Sequence, residues 1–164
     1  DGLRVTGHTE ITAKPKVITA PAGHYDLAFL TCKATQTAQL GSAVAPLADV
    51  LVTLQNGMGN AEKLARFHDR VVVCLTSHGV TVEAPGRLRH AGLGTTKVGP
   101  APGQAVDAAV EQVHELLSEV GLEPVLCPDM RGHIWQKAIV NAGINPVAAL
   151  HGVPNGALLE SPLA

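Results

Sequence analysis

The chain has 164 residues, of which 46% are hydrophobic, so it can bury a core, and its length fits one domain or one and a half. Its formal net charge is -2, and the two signs are interspersed without basic runs, which argues against a surface for nucleic acids or anionic membranes. No apolar run approaches the roughly 20 residues of a membrane-spanning helix, and the first ten residues do not resemble a signal peptide. These features predict a soluble cytoplasmic protein with a small-molecule ligand.

Three short apolar runs predict the core of the fold. Helical segments separate them, which is typical of buried parallel strands joined by crossover helices. The predicted strands are residues 27–31, 50–54 and 71–75, and the predicted connecting helices are residues 37–48 and 60–67. This pattern indicates an α/β fold.

The next part of the chain changes character. Short β-prone pieces at residues 78–83, 87–90 and 95–98 are punctuated by glycine and proline, which predicts a small antiparallel meander on the sheet. An amphipathic stripe then predicts a helix over residues 104–120, and a strand is expected over residues 122–127.

A last helix is predicted after Asp129, which stands in the position of an N-cap, and it should kink or restart at Pro146. Within this apolar stretch Lys137, Asn141 and Asn145 follow one another at spacings of four. In a helix the three polar ends would lie along one side, each roughly 40° round from the last. A lysine and two amides would then point the same way.

Lys137 has no carboxylate one helical turn away, because no other Asp, Glu, Lys or Arg lies between Arg131 and Glu160. One interpretation is that its side chain extends to water. The other is a lysine in a partly dry cleft, where burial lowers its pKa and its ammonium can donate a proton. The neutral amides of Asn141 and Asn145 would suit a substrate with hydroxyl and carbonyl groups, or would bond to backbone.

Polar side chains follow each predicted core strand: Lys33 after the first, Asn56 after the second and His78 after the third. The carboxyl ends of parallel strands face the ligand crevice of an open sheet, so these residues are expected to share one rim. Loops are polar in any case, which is the plainer explanation for each residue taken singly.

The segment GMGNAE at residues 57–62 follows a strand and opens a helix, as a dinucleotide-binding loop does, but it lacks the third glycine. We therefore expect Gly57 and Gly59 to allow close approach of a ligand or to form the turn. The cysteines Cys32, Cys74 and Cys127 lack a CxxC pair and are interpreted as buried thiols. The histidines show no HExxH motif, so no metal site is predicted.

Five segments together resemble one known family. They are WQKAIVNAGINPVAAL at residues 135–150, PNG at 154–156, LQNGMGN at 54–60, SHGV at 77–80 and RHAGLGTTKVG at 89–99. The last two look like Thr-x-His and His-x-Gly-x-Gly-x-Thr-x-x-Gly segments. In order and spacing the sequence strongly resembles the ketopantoate reductase family over nearly its whole length.

That resemblance implies NADPH-dependent reduction of 2-dehydropantoate (ketopantoate) to pantoate, in pantothenate and coenzyme A synthesis. By matching positions, Lys137 would be the general acid that protonates the carbonyl oxygen. Asn141, Asn145 and Asn155 would bind the substrate, and Asn56 would lie by both the substrate and the nicotinamide. A homodimer is one arrangement that the resemblance leaves open.

Lys33 matches a family position near the cofactor. Together with the strand-end argument, this makes Lys33, Asn56, Gly57 and His78 the predicted residues for NADPH/NADP binding.

The sequence also departs from the family, whose members begin with a strand and a GxGxxG loop and end in a longer helical domain with a catalytic glutamate. We therefore expect an internal fragment, inactive alone, whose missing glutamate would pair with Lys137. Residues 1–128 would form a partial NADP-binding Rossmann-like domain without its first βαβ unit, and residues 129–164 the start of an all-helical substrate domain. Two other functions stay open: a related NAD(P)-dependent dehydrogenase of another small 2-oxo acid, and a non-catalytic assembly module.

Overall fold

The computed structural model describes residues 2–159. Its strands are β1 (Leu3–Gly7), β2 (Ile11–Ala13), β3 (Tyr25–Leu30), β4 (Ala48–Thr53), β5 (Val71–Thr76), β6 (Gly79–Ala84), β7 (Arg87–Gly92), β8 (Thr96–Pro100) and β9 (Val125–Leu126). Its α-helices are α1 (Thr37–Val44), α2 (Asn60–Leu64), α3 (Ala108–Glu119) and α4 (Arg131–His151). Short 3-10 turns lie at Ala34–Gln36, Ala45–Leu47 and Asn155–Leu159.

The larger sheet has five strands in the order β3-β4-β5-β8-β9. Strands β3, β4 and β5 are parallel, β8 is antiparallel to β5, and β9 is parallel to β8. Valine recurs in β4 and β5, and β-branched side chains suit a strand that is buried on both faces. The predicted α/β fold with a largely parallel sheet is confirmed.

Both faces of this sheet are packed, because successive residues of a strand point to opposite sides. Leu51 belongs to a cluster with Leu64 of α2 on one side. Val52 belongs to a second cluster with Val110 and Val113 of α3 on the other side. All five side chains are fully buried, so the core consists of two apolar layers with the sheet between them.

A second sheet has the order β2-β1-β7-β6, in which β1 and β7 are parallel and the other pairs are antiparallel. The predicted meander over residues 78–98 is therefore wrong in part. Strands β6 and β7 form a hairpin outside the main sheet, whereas β8 lies beside β5 within it. Strands β1 and β2 were not predicted, because they are short and half exposed and carry no strong apolar pattern.

The predicted boundaries shift where a local interaction decides them. Helix α3 begins at Ala108 rather than at residue 104, because the Asp107 carboxylate accepts hydrogen bonds from the N–H groups of Ala109 and Val110, both at 3.1 Å. The strand expected over residues 122–127 is reduced to the two residues of β9. Helices α1 and α2 also end before the predicted positions.

Helix α4 starts close to its predicted position. The Asp129 carboxylate accepts a hydrogen bond from the N–H of Arg131 at 2.9 Å, so it satisfies one of the free donors of the first turn. The N-cap position itself belongs to Met130, one residue later than predicted.

The restart expected at Pro146 is wrong, because α4 continues as one helix to His151, and the kink stays a prediction. Proline removes the backbone donor that would bond to the carbonyl of Ala142. Ala142 is exposed, so water can satisfy this carbonyl and the helix can continue.

Cys74 and Cys127 are buried, Cys32 is half-buried, and all three are free thiols. Burial raises the pKa of the Cys74 thiol to about 12, so this side chain behaves as an apolar core residue. None of the helices within residues 2–159 is both long enough and apolar enough to cross a membrane.

Candidate functional site

A cleft of about 570 Å³ lies between the carboxyl end of β5, the start of β8 and helix α4. Its lining residues are Asn56, Leu75, Thr76, Ser77, His78, Thr95, Lys97, His133, Gln136, Lys137, Val140, Asn141, Asn145 and Asn155. Among residues 2–159, two lysines and no aspartate or glutamate line the cleft. The cleft is therefore rich in amides and cationic in character.

The predicted residues Lys137, Asn141, Asn145, Asn155, Asn56 and His78 all line this cleft. Lys33 does not: it is exposed after β3 and is absent from the cleft lining. Gly57 lies in the turn after β4, where Gly57 and Gly59 have φ angles of 95° and 77°. These left-handed angles favour glycine, in agreement with the turn-forming interpretation. The cofactor-binding roles of Lys33 and Gly57 stay predictions.

Lys137 points into the cleft and is half-buried. Its Nζ donates a hydrogen bond to the backbone carbonyl of Thr76, at 2.6 Å. Desolvation by burial lowers the pKa of this lysine. No carboxylate within residues 2–159 pairs with it, and its partner there is a backbone carbonyl. The pairing of Lys137 with a glutamate from outside this chain stays a prediction. The arrangement agrees with the dry-cleft interpretation of Lys137 rather than with extension to water.

The polar stripe of α4 is one turn longer than predicted. His133 precedes Lys137 by four residues, so His133, Lys137, Asn141 and Asn145 form one row of side chains along the cleft. At the far end the Nδ2 of Asn155 donates to the Oδ1 of Asn145 at 3.0 Å. His133 was missed, although the same spacing of four was the signal that identified the other three.

Lys97 is the second cleft residue that sequence reasoning missed. Its Nζ lies 2.9 Å from the Nδ1 of His133. It stands on β8, at a position of the Thr-x-x-Gly segment that any residue type can fill, so only its strand pairing brings it to the site. No local signal marks it.

His78 contributes a hydrogen-bond donor to the site. The Nε2 of His90 lies 3.1 Å from the carbonyl oxygen of Gly92 and 3.0 Å from the Nδ1 of His78. A carbonyl only accepts, so we assign the proton of His90 to Nε2, and the Nδ1 of His78 also accepts from the N–H of Gly94 at 3.3 Å. The proton of His78 then lies on Nε2, a buried atom that has no partner within residues 2–159.

A buried polar network fixes the loop that carries Asn56. The Nε2 of Gln55 donates to the Cys32 carbonyl at 2.9 Å and to the Oγ1 of Thr37 at 2.8 Å. Thr37 donates in turn to the Oδ1 of Asn60 at 3.0 Å, and the Nδ2 of Asn60 donates to the Asn56 carbonyl at 3.1 Å. The loops after β3 and β4 are thereby held against each other.

Within residues 2–159 no group of three or more His, Cys, Asp or Glu side chains is arranged to hold a metal ion. The three histidines His8, His78 and His90 do meet, with ring centroids 5.6 Å apart for His8 and His90 and 5.0 Å apart for His78 and His90. Sequence spacing gave no sign of this cluster.

Comparison with known proteins identifies the family. Residues 1–103 match the family model described as ketopantoate reductase PanE/ApbA, and residues 129–164 match the model of its C-terminal part. The chain belongs to the ketopantoate reductase family.

Among curated relatives, the 2-dehydropantoate 2-reductase of Halobacterium salinarum is 40% identical over 99% of this chain and 56% of the relative. That of Archaeoglobus fulgidus is 36% identical over 98% of this chain and 54% of the relative. The chain thus spans a little over half the length of the curated relatives it matches.

Solved structures share the fold. The 2-dehydropantoate 2-reductase of Geobacter metallireducens superposes with a TM-score of 0.85 at 24% identity, over 98% of this chain and 56% of that one. A D-mandelate dehydrogenase in complex with NADH superposes with a TM-score of 0.78 at 24% identity, over 97% and 52% of the two chains. The predicted Rossmann-like character of the fold is confirmed.

The Thr37 hydroxyl tests the buried network. In Thr37→Val the Nε2 of Gln55 and the Oδ1 of Asn60 each lose a partner inside the protein, so we expect a loss of about 1–3 kcal/mol in the free energy of unfolding. Urea denaturation measures it.

The matched control is Thr35→Val, which alters an exposed threonine two residues away and should change the stability by less than about 0.5 kcal/mol. Equal effects of the two substitutions would contradict a structural role for the network.

Proposed function

We propose that the protein containing this chain reduces 2-dehydropantoate to pantoate with NADPH, in the cytoplasm, as a step of pantothenate and coenzyme A synthesis. The observation that carries the proposal is the Lys137 ammonium, half-buried in a cleft that no carboxylate of residues 2–159 lines, and hydrogen-bonded to the Thr76 carbonyl. The names of the curated relatives support the choice of substrate.

The reaction needs a proton donor at one oxygen. Adding hydride to a ketone carbon leaves negative charge on the carbonyl oxygen, and a positioned cation both stabilises that charge and protonates it. Lys137 has three N–H donors, and one of them is used by the Thr76 carbonyl. The other two have no hydrogen-bond partner within residues 2–159 and can meet a substrate oxygen. Because desolvation lowers the pKa of Lys137, its ammonium gives up the proton more readily than that of an exposed lysine.

The amides of the cleft suit the rest of the substrate. Asn141, Asn145 and Asn155 offer both donors and acceptors, which match the hydroxyl and carbonyl groups of 2-dehydropantoate. The bond between Asn145 and Asn155 fixes the orientation of two of these amides before a ligand arrives. We propose that these three residues, with Asn56, bind the substrate.

The residues present fit the nicotinamide end of a dinucleotide. Asn56 and His78 follow β4 and β5 at the carboxyl edge of the sheet, and the buried Nε2–H of His78 is a donor without a protein partner. A reduced nicotinamide supplies hydride when it is bound. We propose that Asn56 and His78 orient its ring and that Gly57 and Lys33 bind elsewhere on the cofactor.

We further propose that residues 1–128 and 129–164 contribute to separate nucleotide and substrate domains, an arrangement that the two family models support. The boundary lies two residues before the start of α4.

We also propose a homodimer, because α4 exposes the apolar side chains of Trp135, Ile139 and Leu150. If the intact protein sediments as a monomer in analytical ultracentrifugation, the homodimer is contradicted.

The substrate is tested by NADPH oxidation with 2-dehydropantoate in the intact protein. A panel of other small 2-oxo acids under the same conditions separates this activity from that of a related dehydrogenase, because the amide-rich cleft fits the shared 2-oxo acid group. A kcat/KM that is highest for another member of the panel would reassign the substrate. No turnover with any of them would favour a non-catalytic role.

Replacing Lys137 tests the proton donor. We expect Lys137→Ala to lower kcat by about 10²–10⁴-fold, because both the charge and the proton are lost. Lys137→Arg should also be slow, since a guanidinium keeps the charge but does not release its proton at neutral pH. An exposed lysine, Lys16, provides the control variant Lys16→Met, which should keep the original kcat. An undiminished kcat in Lys137→Ala would remove Lys137 from the mechanism.

The pH dependence of kcat/KM tests the lowered pKa of Lys137. The protonated ammonium is the active form, so activity is complete below its pKa and falls as the pH rises through that value. Because desolvation lowers the pKa, the alkaline fall should come at a pH below the ordinary range for lysine. A profile that stays flat until an exposed lysine would titrate contradicts this.

A further inference from the structure

A second ammonium group lies in the same cleft as Lys137. The Nζ of Lys97 donates to the Nδ1 of His133 at 2.9 Å, and Lys97 is half-buried. An ammonium has donors only, so the Nδ1 of His133 carries no proton, and this ring is neutral with its proton on Nε2. One N–H of Lys97 is thus used, and two remain.

Strand register and helix spacing bring the two ammonium groups to the same end of the cleft. In the antiparallel pair of β5 and β8, Lys97 stands opposite Leu75 and directly beside the pair of Thr76 and Thr96. The Thr76 carbonyl holds Lys137. On α4, His133 and Lys137 are one helical turn apart. Two neighbouring hydrogen bonds therefore join the helix to the sheet, one from Lys97 to His133 and one from Lys137 to the Thr76 carbonyl.

Two cations without a carboxylate between them make this end of the cleft suited to an anion. Like charges repel each other, and partial burial weakens their screening by water. In the described part of the chain, no aspartate or glutamate lines the cleft to offset the charge, and the imidazole of His133 is neutral. An anionic ligand would relieve the repulsion.

We propose that Lys97, held in place by His133, binds the carboxylate of the substrate while Lys137 meets the adjacent carbonyl oxygen. This inference rests on the proposed reduction of a 2-oxo acid, in which a carboxylate is joined directly to the reacting carbonyl carbon. Each ammonium group would then meet one of two adjacent groups of the ligand. Lys97 determines specificity for a free acid, and His133 is a positioning residue.

The experiment compares an acid with its uncharged counterpart. The ligands are 2-dehydropantoate and 2-dehydropantolactone, in which the carboxylate is closed into a neutral ring ester. In the intact protein, Lys97→Met should raise KM for the acid by about 10- to 100-fold, the effect of losing one charge-assisted hydrogen bond. Its KM for the lactone should change less than twofold. Lys97→Arg should keep much of the preference for the acid over the lactone that Lys97→Met loses. Lys16→Met should leave both KM values unchanged.

The role of His133 is tested by two substitutions. His133→Gln keeps an acceptor for the Lys97 ammonium, whereas His133→Leu removes it. We expect His133→Leu to raise KM for the acid with kcat preserved, and His133→Gln to stay close to the original protein. A general loss of folding would instead lower kcat for the acid and for the lactone to the same extent.

Binding measured without turnover separates this inference from the proposed function. Isothermal titration with oxalate, an unreactive dianion, should give binding to the original protein and at least tenfold weaker binding to Lys97→Met. The protein could reduce 2-oxo acids while Lys97→Met changes KM equally for the acid and the lactone and leaves oxalate binding unchanged. That result overturns the role of Lys97 and leaves the proposed function intact. If none of the 2-oxo acids supports NADPH oxidation, the proposed function is overturned. The assignment of the substrate carboxylate to Lys97 is then overturned with it.

Discussion

The hydrogen bond from the Lys137 ammonium to the Thr76 carbonyl joins helix α4 to the carboxyl end of β5. Little else holds this helix along most of its length, because Ala148 is its one buried residue among those described. Its first turn packs on the core through Met130 and Ile134. Polar bonds beyond that turn therefore decide where the helix lies and, with it, where the cleft opens.

This dependence links position to chemistry. A lysine whose bond orients a helix is itself kept in one place, so little ordering remains to be done when a ligand arrives. The same burial that removes water from Lys137 lowers its pKa. Orientation and acidity thus have a common origin in the contact of α4 with the sheet.

The opposite wall of the cleft is fixed by buried hydrogen bonds instead of by apolar packing. Gln55 and Thr37 are almost fully buried, and their polar groups are satisfied by each other and by neighbouring backbone. Such a network is costly to leave incomplete, so it favours a single conformation of the Asn56 loop. The site therefore has a rigid sheet edge on one side and a helix held by lysines on the other.

The sequence by itself determined the elements whose signals are local. Valine-rich runs marked β4 and β5, and a spacing of four marked the row from Lys137 to Asn145, because burial on a strand or a helix face imposes a short period on the sequence. The family resemblance also added the role that we propose for Lys137. Boundaries were less certain where one side chain decided them, as Asp107 does for α3.

Only the tertiary structure decided which distant segments meet. The pairing of β8 with β5 brought Lys97 to the cleft, the neighbouring hairpin brought His90 to His78, and the exposure of Ala142 allowed α4 to pass through Pro146. Each outcome depends on contacts between residues far apart in the chain or on access of water to a backbone group. Local periodicity contains no information about either, because it records which face of an element is buried and not which element covers it.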